Sequence, residues 1–268
     1  MRVLTWNLWW RYGPWQQRRP AIAATLAEIA PDICGLQEVW GGATEGQAAE
    51  LADHLGMHWS YASLPIPPDR QAKYGADLRI GNALLSRFPI LATAELPLPV
   101  ADGEERRVAL HARIDAPGGA LPFFTTHLTH RADASGERVA QVRALARFVA
   151  DHLDGCAYPP VVTGDLNAQP DSDEMRLLGG LLTEPVVPGL VLVDAWRYAE
   201  AGDPGLSWSE RNGHAARHGL FDARIDYVLV GRPQAGRGRV RSARLAATAP
   251  VDGMWPSDHF AVLAELAE

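Results

Sequence analysis

The stretch Val161-Val162-Thr163-Gly164-Asp165-Leu166-Asn167 decides how the rest of the chain is read. Pro159 and Pro160 stand before it and rule out a helix interior, so the apolar, β-branched run reads as a short buried strand that stops at Gly164. Two side chains that handle metals or water, Asp165 and Asn167, follow at spacing i, i+2. On extended backbone such residues project to the same side, so both face one point just past the strand end. Alone, a strand followed by Gly-Asp is an ordinary turn signal. Its meaning depends on what else reaches that point.

Outward from this stretch, the chain alternates between two periodicities. Arg2 to Leu8, Ile33 to Val39, Ala83 to Leu85, Pro89 to Leu98, Arg107 to Ile114 and Pro122 to Leu128 read as strands. So do Val191 to Trp196, Ile225 to Val230, Val240 to Ala247 and Phe260 to Glu265. Helical stripes cover Pro20 to Ala30, with Pro20 suited to a first turn, and Ala48 to Leu55, closed by Gly56. Another runs from Ser135, a candidate cap, through Val139, Val142, Leu145, Val149 and Leu153. Asp171 with Glu174 resembles a capping box for a short helix reaching Leu182. Residues 63–80 and 204–220 read as long loops, and Asp102-Gly103-Glu104-Glu105 as an acidic turn. Hairpin-like pairs mixed with β–helix–β units, and no linker or repeat, imply one layered α/β domain over residues 1–268. Two sheets pack face to face with helices outside.

Composition narrows the partners. A net charge of −7 argues against duplex nucleic acid as the main partner, because phosphate neutralisation favours a basic surface. Cys34 and Cys156 have no CxxC partner and read as reduced core residues. No apolar run is long enough to span a bilayer, and residues 1–8 lack the apolar centre of a signal peptide. The expectation is a cytoplasmic monomer without integral membrane association.

The event at Asp165 repeats along the chain. Asn7, Glu38 and His127 each follow or end an apolar run, Asp226 sits within one, and Ser257-Asp258-His259 precedes the last strand. A carboxylate in such a run is costly unless paired or bound to a metal. One such residue is easily structural; so many at matching strand positions are harder to read as unrelated ion pairs. The set is oxygen-rich and lacks cysteine, which suits Mg²⁺, with Mn²⁺ as substitute, over structural zinc.

Trp6-Asn7, Leu36-Gln37-Glu38, Gly81-Asn82-Ala83-Leu84-Leu85-Ser86-Arg87, Thr126-His127-Leu128, Gly164-Asp165-Leu166-Asn167, Arg224-Ile225-Asp226-Tyr227 and Ser257-Asp258-His259 occur in that order. Each motif is weak; the ordered set resembles the endonuclease/exonuclease/phosphatase superfamily over nearly the whole chain. That group includes deoxyribonuclease I-like enzymes, apurinic endonucleases, bacterial sphingomyelinases and inositol-phosphate phosphatases. The resemblance implies a four-layer α/β sandwich and hydrolysis of a phosphate ester by in-line attack of water, with no covalent intermediate. It implies Glu38 as a metal ligand with Asn7 beside it, and Asp258 near the metal. Asp165 would orient and deprotonate the attacking water, and Asn167 would hold the phosphate or that water. His259 would donate to a phosphoryl oxygen, its ring fixed by Asp226. His127 would contact the phosphate or protonate the leaving group, and it tilts the chain away from the apurinic endonuclease branch. Asp165 and His259 both remain open as the base.

Other residues carry weaker signals. Asn82 reads as a brace near the site or a substrate contact, and Arg87 as a brace. Asp194 to Arg197 suggests a structural ion pair or loop anchor. Arg70, Lys73 and Arg79 are loop cations able to steer an anion. His214 and His218 read as solvated, and Ser207-Trp208 as a turn that touches substrate. Trp9, Trp10, Tyr12 and Trp15, with Trp255, either pack a loop or form an apolar wall beside the phosphate, suited to a base, an aryl group or a lipid chain. The sequence thus points to a metal-dependent phosphoesterase acting on a diester or monoester, with a small molecule or lipid headgroup ahead of DNA or RNA. The alternatives are a Mg²⁺-dependent nuclease and a non-catalytic binding module on the same fold.

Overall fold

The computed structural model describes residues 1–42, 45–66, 68–75, 77–101, 105–218 and 221–268. Residues 102–104 of the expected acidic turn fall outside this set, as do the side chains of Arg70 and His218.

The first sheet contains β1 (Arg2–Asn7), β2 (Ile33–Gly41), β3 (His58–Pro65), β4 (Arg79–Ser86), β11 (Val240–Ala246) and β12 (Ala261–Leu266), in the spatial order β11-β12-β1-β2-β4-β3. The second contains β5 (Ile90–Leu98), β6 (Arg107–Ala116), β7 (Gly119–His127), β8 (Val161–Asp165), β9 (Val193–Asp194) and β10 (Asp226–Val230), in the order β5-β6-β7-β8-β10-β9. Each sheet has one parallel pair, β1 with β2 and β7 with β8. A parallel pair needs a crossover, supplied by α1 (Trp15–Ile29) and α4 (Ser135–Ala150). With α2 (Gln47–Leu55) and α5 (Asp173–Gly179) these helices cover the outer faces, giving four layers.

Strand alternation sorts the side chains. Val3, Ile33, Phe123, Val161 and Val228 enter the core between the sheets, while Leu4, Cys34, Phe124, Val162 and Leu229 pack against helices. The same count by twos puts Asn7, His127, Asp165 and Asp226 on the inner faces at strand ends. Glu38 is out of step: in a regular strand it would face the helices. A β-bulge corrects this. Between the pairs Leu36–Ala83 and Val39–Gly81, Gln37 and Glu38 together oppose Asn82, and Glu38 adopts φ +51°.

Beneath the strand ends the sheets meet in a buried polar layer. Gln37 Nε2 donates to Thr125 Oγ1 at 2.9 Å and to Thr5 Oγ1 at 3.2 Å, across both sheets. Gly35 permits this approach: a Cβ there would lie 2.1 Å from Thr163 Oγ1 and 2.6 Å from Thr125 Oγ1.

Several expected elements differ. α1 begins five residues before Pro20, which sits inside the helix and not in its first turn. Residues 63–80 are not a loop: they hold the end of β3, the helix α3 (Pro68–Tyr74) and the start of β4. β3 lacks clean alternation because its outer residues are half exposed at a sheet edge. Ser135 is the first residue of α4 and makes no capping bond. Ser172, not Asp171, caps α5 by accepting from the Met175 N–H at 3.3 Å, and the helix closes at left-handed Gly180, short of Leu182. The strand expected over 191–196 is two residues long, because Asp194 caps a 3₁₀ turn over Ala195–Tyr198. Asp194 also pairs with Arg224 and so anchors that segment. Arg87 braces Asp32 at 3.6 Å. Both cysteines are free; Cys34 is buried, but Cys156 is half-buried and not a core residue. No helix among the described residues is long and apolar enough to cross a membrane.

Candidate functional site

The ends of β1, β2, β7, β8 and β10, with the segment before β12, open into a cleft of about 560 Å³. Asn7, Glu38, His127, Asp165, Asn167, Asp258 and His259 all line it, although they are spread over more than 250 positions.

Asp165 is the centre of the group. Its Oδ2 accepts from Asn7 Nδ2 at 3.0 Å and lies 3.5 Å from His127 Nε2 and 3.7 Å from His259 Nε2. Its Oδ1 accepts from the Asn167 N–H at 3.0 Å. The i, i+2 relation therefore works differently from the expected one. The chain leaves the strand at Asp165, Asn167 turns left-handed at φ +47°, and its side-chain amide donates to the Leu128 carbonyl at 3.1 Å. His259 Nδ1 lies 2.9 Å from Asp226 Oδ2, the pairing that the resemblance implies. The Ser207 hydroxyl in turn accepts from the Asp226 N–H at 3.1 Å, and Trp208 stands edge-on to the His259 ring at 4.9 Å.

Burial shapes the charges. It raises the Asp165 carboxyl above the usual carboxylate range, and the neighbouring Asp226 adds to the rise. Burial also raises Glu38 to about 7; His259 and Arg107 oppose this, and Glu105 and Asp165 reinforce it. For His259 burial is the largest single influence and lowers it. Asp226, Asp165 and Asp258 together overcome that and raise it to about 10, so the ring is cationic at neutral pH. His127 is held well below its ordinary value by burial and then by Arg107 and His259. It is a neutral imidazole, and its approaches to Asp165 and to Glu38 (3.9 Å) are not ion pairs.

Three carboxylate oxygens, Glu38 Oε2, Asp226 Oδ1 and Glu174 Oε2, are buried with no hydrogen-bond partner among the described residues; the second oxygen of Asp226 meets His259 and that of Glu174 meets Arg138. A buried carboxylate oxygen of this kind is satisfied by water or by a cation, and Glu38, which has no arginine or histidine among the described residues bonded to it, is the one of the three with room for a metal. Among the described residues, candidate ligand atoms of Asp165, Asp226 and His259 lie within 4.8 Å of one another. A hard divalent cation fits this oxygen-rich neighbourhood.

Not every expected residue reaches the cleft. Trp9, at φ +57°, lines it with Tyr12 and Trp208. Trp10 instead turns into a buried aromatic cluster with Tyr12 and Tyr74, its Nε1 donating to the Arg79 carbonyl. Arg79 is thus tied into β4, outside the cleft lining. Trp255 packs toward Phe260. Asn82 is buried beside Glu38 and His127 and donates to the Val108 carbonyl at 2.7 Å. His214 is not solvated: it is buried against Trp9 at 4.7 Å.

Three arginines were not legible as site residues. Arg107, 7% exposed, lines the cleft near Glu38 and meets His130 Nδ1 at 3.0 Å. Arg138 is buried at the far end of the cleft on Glu174 at 2.9 Å. Arg18, buried in α1, donates to the carbonyls of Leu8, Trp9, Trp10, Tyr12 and Pro256, pinning the Trp9 loop to the segment before Asp258. Burial lowers its pKa to about 10, which leaves it charged at neutral pH. Arg107 and Arg138 stand beside apolar residues in strand- or helix-like patterns, so only chain folding assigns them to a cleft.

Comparison with known proteins agrees with this fold. Nocturnin of Xenopus laevis is 23% identical over 265 residues, covering 94% of this chain and 65% of that protein. Tyrosyl-DNA phosphodiesterase 2 of Xenopus tropicalis is 24% identical over 266 residues, with 94% and 61% covered. The chain therefore spans less than two thirds of the length of these relatives. The human Nocturnin catalytic domain with bound sulfate superposes with a TM-score of 0.76 at 21% identity, covering 100% of this chain and 94% of that one. A family model described as Endonuclease/Exonuclease/phosphatase family matches residues 4–259. With that match over nearly its whole length, the chain belongs to the endonuclease/exonuclease/phosphatase family.

Proposed function

We propose that this chain is a Mg²⁺-dependent phosphoesterase acting on a small phosphate ester, with Asp165 as the residue that handles the attacking water. The observation that carries the reading is the convergence on Asp165 Oδ2 of Asn7, His127 and His259, with Asp226 holding His259. A carboxylate with raised basicity is matched to accepting a proton from water near neutral pH. Cationic His259, fixed by Asp226, donates to a phosphoryl oxygen. Neutral His127 and cationic Arg107 flank the position of the leaving group. Asn7 holds Asp165, and the Asn167 N–H fixes its second oxygen.

Glu38, Asn7 and Asp258 are the residues that would hold the divalent cation. His259 is charged and already bonded to Asp226, so it competes poorly as a ligand, whereas Glu38 Oε2 is buried and unsatisfied. When bound, the cation neutralises charge on the phosphate and leaving oxygen. Trp9 and Trp208 supply an apolar wall, and the cleft has room for one small organic group. The chain's net charge of −7 favours such a substrate over duplex DNA or RNA.

The test is turnover with Mg²⁺ or Mn²⁺ on aryl monophosphate, bis-aryl phosphate, sphingomyelin, plasmid DNA, abasic duplex and RNA, with Asp165→Asn as blank. Metal-dependent hydrolysis of the small esters is the expected result. Hydrolysis confined to nucleic acids, with affinity falling steeply with salt, would replace the reading by a nuclease. A parallel titration should find that Mg²⁺ raises the melting temperature of the wild type but not of Glu38→Gln.

A further inference from the structure

A second cavity of about 270 Å³ lies outside the catalytic cleft, between the end of α5, the edge strand β9 and the approach to β10. Its lining combines two chemistries. Met175, Leu192 and Leu229 are buried and apolar, whereas Leu181 and Leu182 are 54% and 75% exposed. Among the described residues, those two adjacent leucines are among the few large apolar side chains left in solvent. Isolated exposed leucines need no explanation, but a contiguous pair on a concave surface does.

Among the described residues, three arginines line the same cavity, Arg176, Arg197 and Arg224, against one acidic residue, Asp194. Asp194 is engaged by Arg224. Arg176 reaches Asp173 only at 3.7 Å between two exposed side chains, a contact worth little. Arg197 is exposed and has no ion pair among the described residues. In a chain of net charge −7, this cavity carries a local excess of positive charge beside uncovered apolar surface.

We propose that the cavity is a second ligand site, for a small amphipathic anion: one alkyl or aryl chain bearing a carboxylate, sulfonate or phosphate. The chain covers Leu181 and Leu182, and the head group meets Arg176 and Arg197. The volume, just below that of pockets for drug-sized ligands, suits one short chain and not a folded peptide. The site adjoins the catalytic cleft through one segment: Arg224 lines this cavity, Ile225 lines the cleft, and Asp226 holds His259.

Calorimetric titration with decanoate, below its micelle threshold, tests the proposal without any hydrolysis readout, so it stands or falls apart from the proposed activity. Wild-type protein should bind one decanoate, and acetate and decyltrimethylammonium should not bind. The double substitution Arg176→Ala/Arg197→Ala touches only exposed side chains, and losing two charged contacts should weaken binding about tenfold or more. Gly179→Leu tests the space independently. An added Cβ there meets only the Leu192 carbonyl at 3.9 Å, an ordinary contact, so the backbone is undisturbed while the side chain fills the cavity. Decanoate binding should disappear in that variant, with its melting temperature unchanged. Equal binding of the cationic detergent, or decanoate binding that neither variant alters, overturns the proposal. So does cosedimentation with phosphatidylglycerol vesicles without decanoate uptake, which would assign the leucine pair to a membrane surface.

Discussion

Asn7 donates its side-chain amide to Asp165 Oδ2 at 3.0 Å, so the last residue of β1 in one sheet is bonded to the last residue of β8 in the other. Both are buried at 1% exposure. This bond is the point where two facing sheets become one site. It orients the Asp165 carboxylate while the left-handed turn at Asn167 fixes its second oxygen.

Asp165→Asn keeps the shape and removes the proposed proton acceptor. Turnover should fall by about a hundredfold or more, the scale of a lost general base. Burial and Asp226 already disfavour the charge, but the new amide nitrogen must face Asn7 Nδ2 or the Asn167 N–H, both donors, so the two effects oppose each other and the melting temperature should change little. Steady-state kinetics and thermal unfolding on the same sample check both. Near-normal turnover would remove Asp165 from the chemistry.

Arg18 touches no substrate position, yet its loss should be severe. Arg18→Met removes the guanidinium donor from five buried or half-buried carbonyls, of which the Trp9 carbonyl keeps the Tyr12 N–H, and breaking a buried charged network costs about 3–5 kcal/mol. Urea unfolding measures the loss. Since Trp9 and the Asp258 segment are released together, KM should rise even where the variant remains folded. Wild-type stability would show that water replaces the guanidinium.

Gly35 holds the spacing between the sheets. Gly35→Ala places a methyl group 2.1 Å from Thr163 Oγ1, which backbone movement must relieve, at about 1–3 kcal/mol or more. The displacement lies directly under the Asn7–Asp165 bond, so activity should fall with stability. A variant as stable and active as wild type would mean that the polar layer yields freely.

Acid stability should depend on His111. Burial, then the charge of His152, lowers it from about 6.5 to about 4 in the folded chain. Its folded pKa lies below the unfolded one, so the unfolded state binds more protons between those values and stability rises with pH across them. The contribution is fully present above about pH 6.5 and is lost as pH falls toward about 4. Chemical denaturation at several pH values should give a slope in this window, worth about 1–3 kcal/mol in total, that flattens in His111→Leu. An unchanged slope would place the acid sensitivity elsewhere.

Strand alternation made much of this legible beforehand. Val161 to Asp165, Val3 to Asn7 and Tyr227 to Val230 carry their facing in a period of two, so their polar ends predict an inner-face site without coordinates. Edge strand β3 and helix α3 were hidden because half-exposed residues and prolines blur any period. Trp9 and Trp10 are sequence neighbours with the same chemistry, yet one lines the cleft and the other joins the core. Both are left-handed, and nothing in residue type announces that turn.

The sequence by itself determined the layered α/β architecture, the family, and which polar residues end which strands, because periodicity and order are local properties of the chain. Only the tertiary structure decided how those ends meet. It placed the bulge that turns Glu38 from the helix side to the cleft, buried Arg18 and brought up Arg107, and raised the Asp165 carboxyl. Each of these depends on which groups from distant segments exclude water from one another, and that is a property of packing in three dimensions.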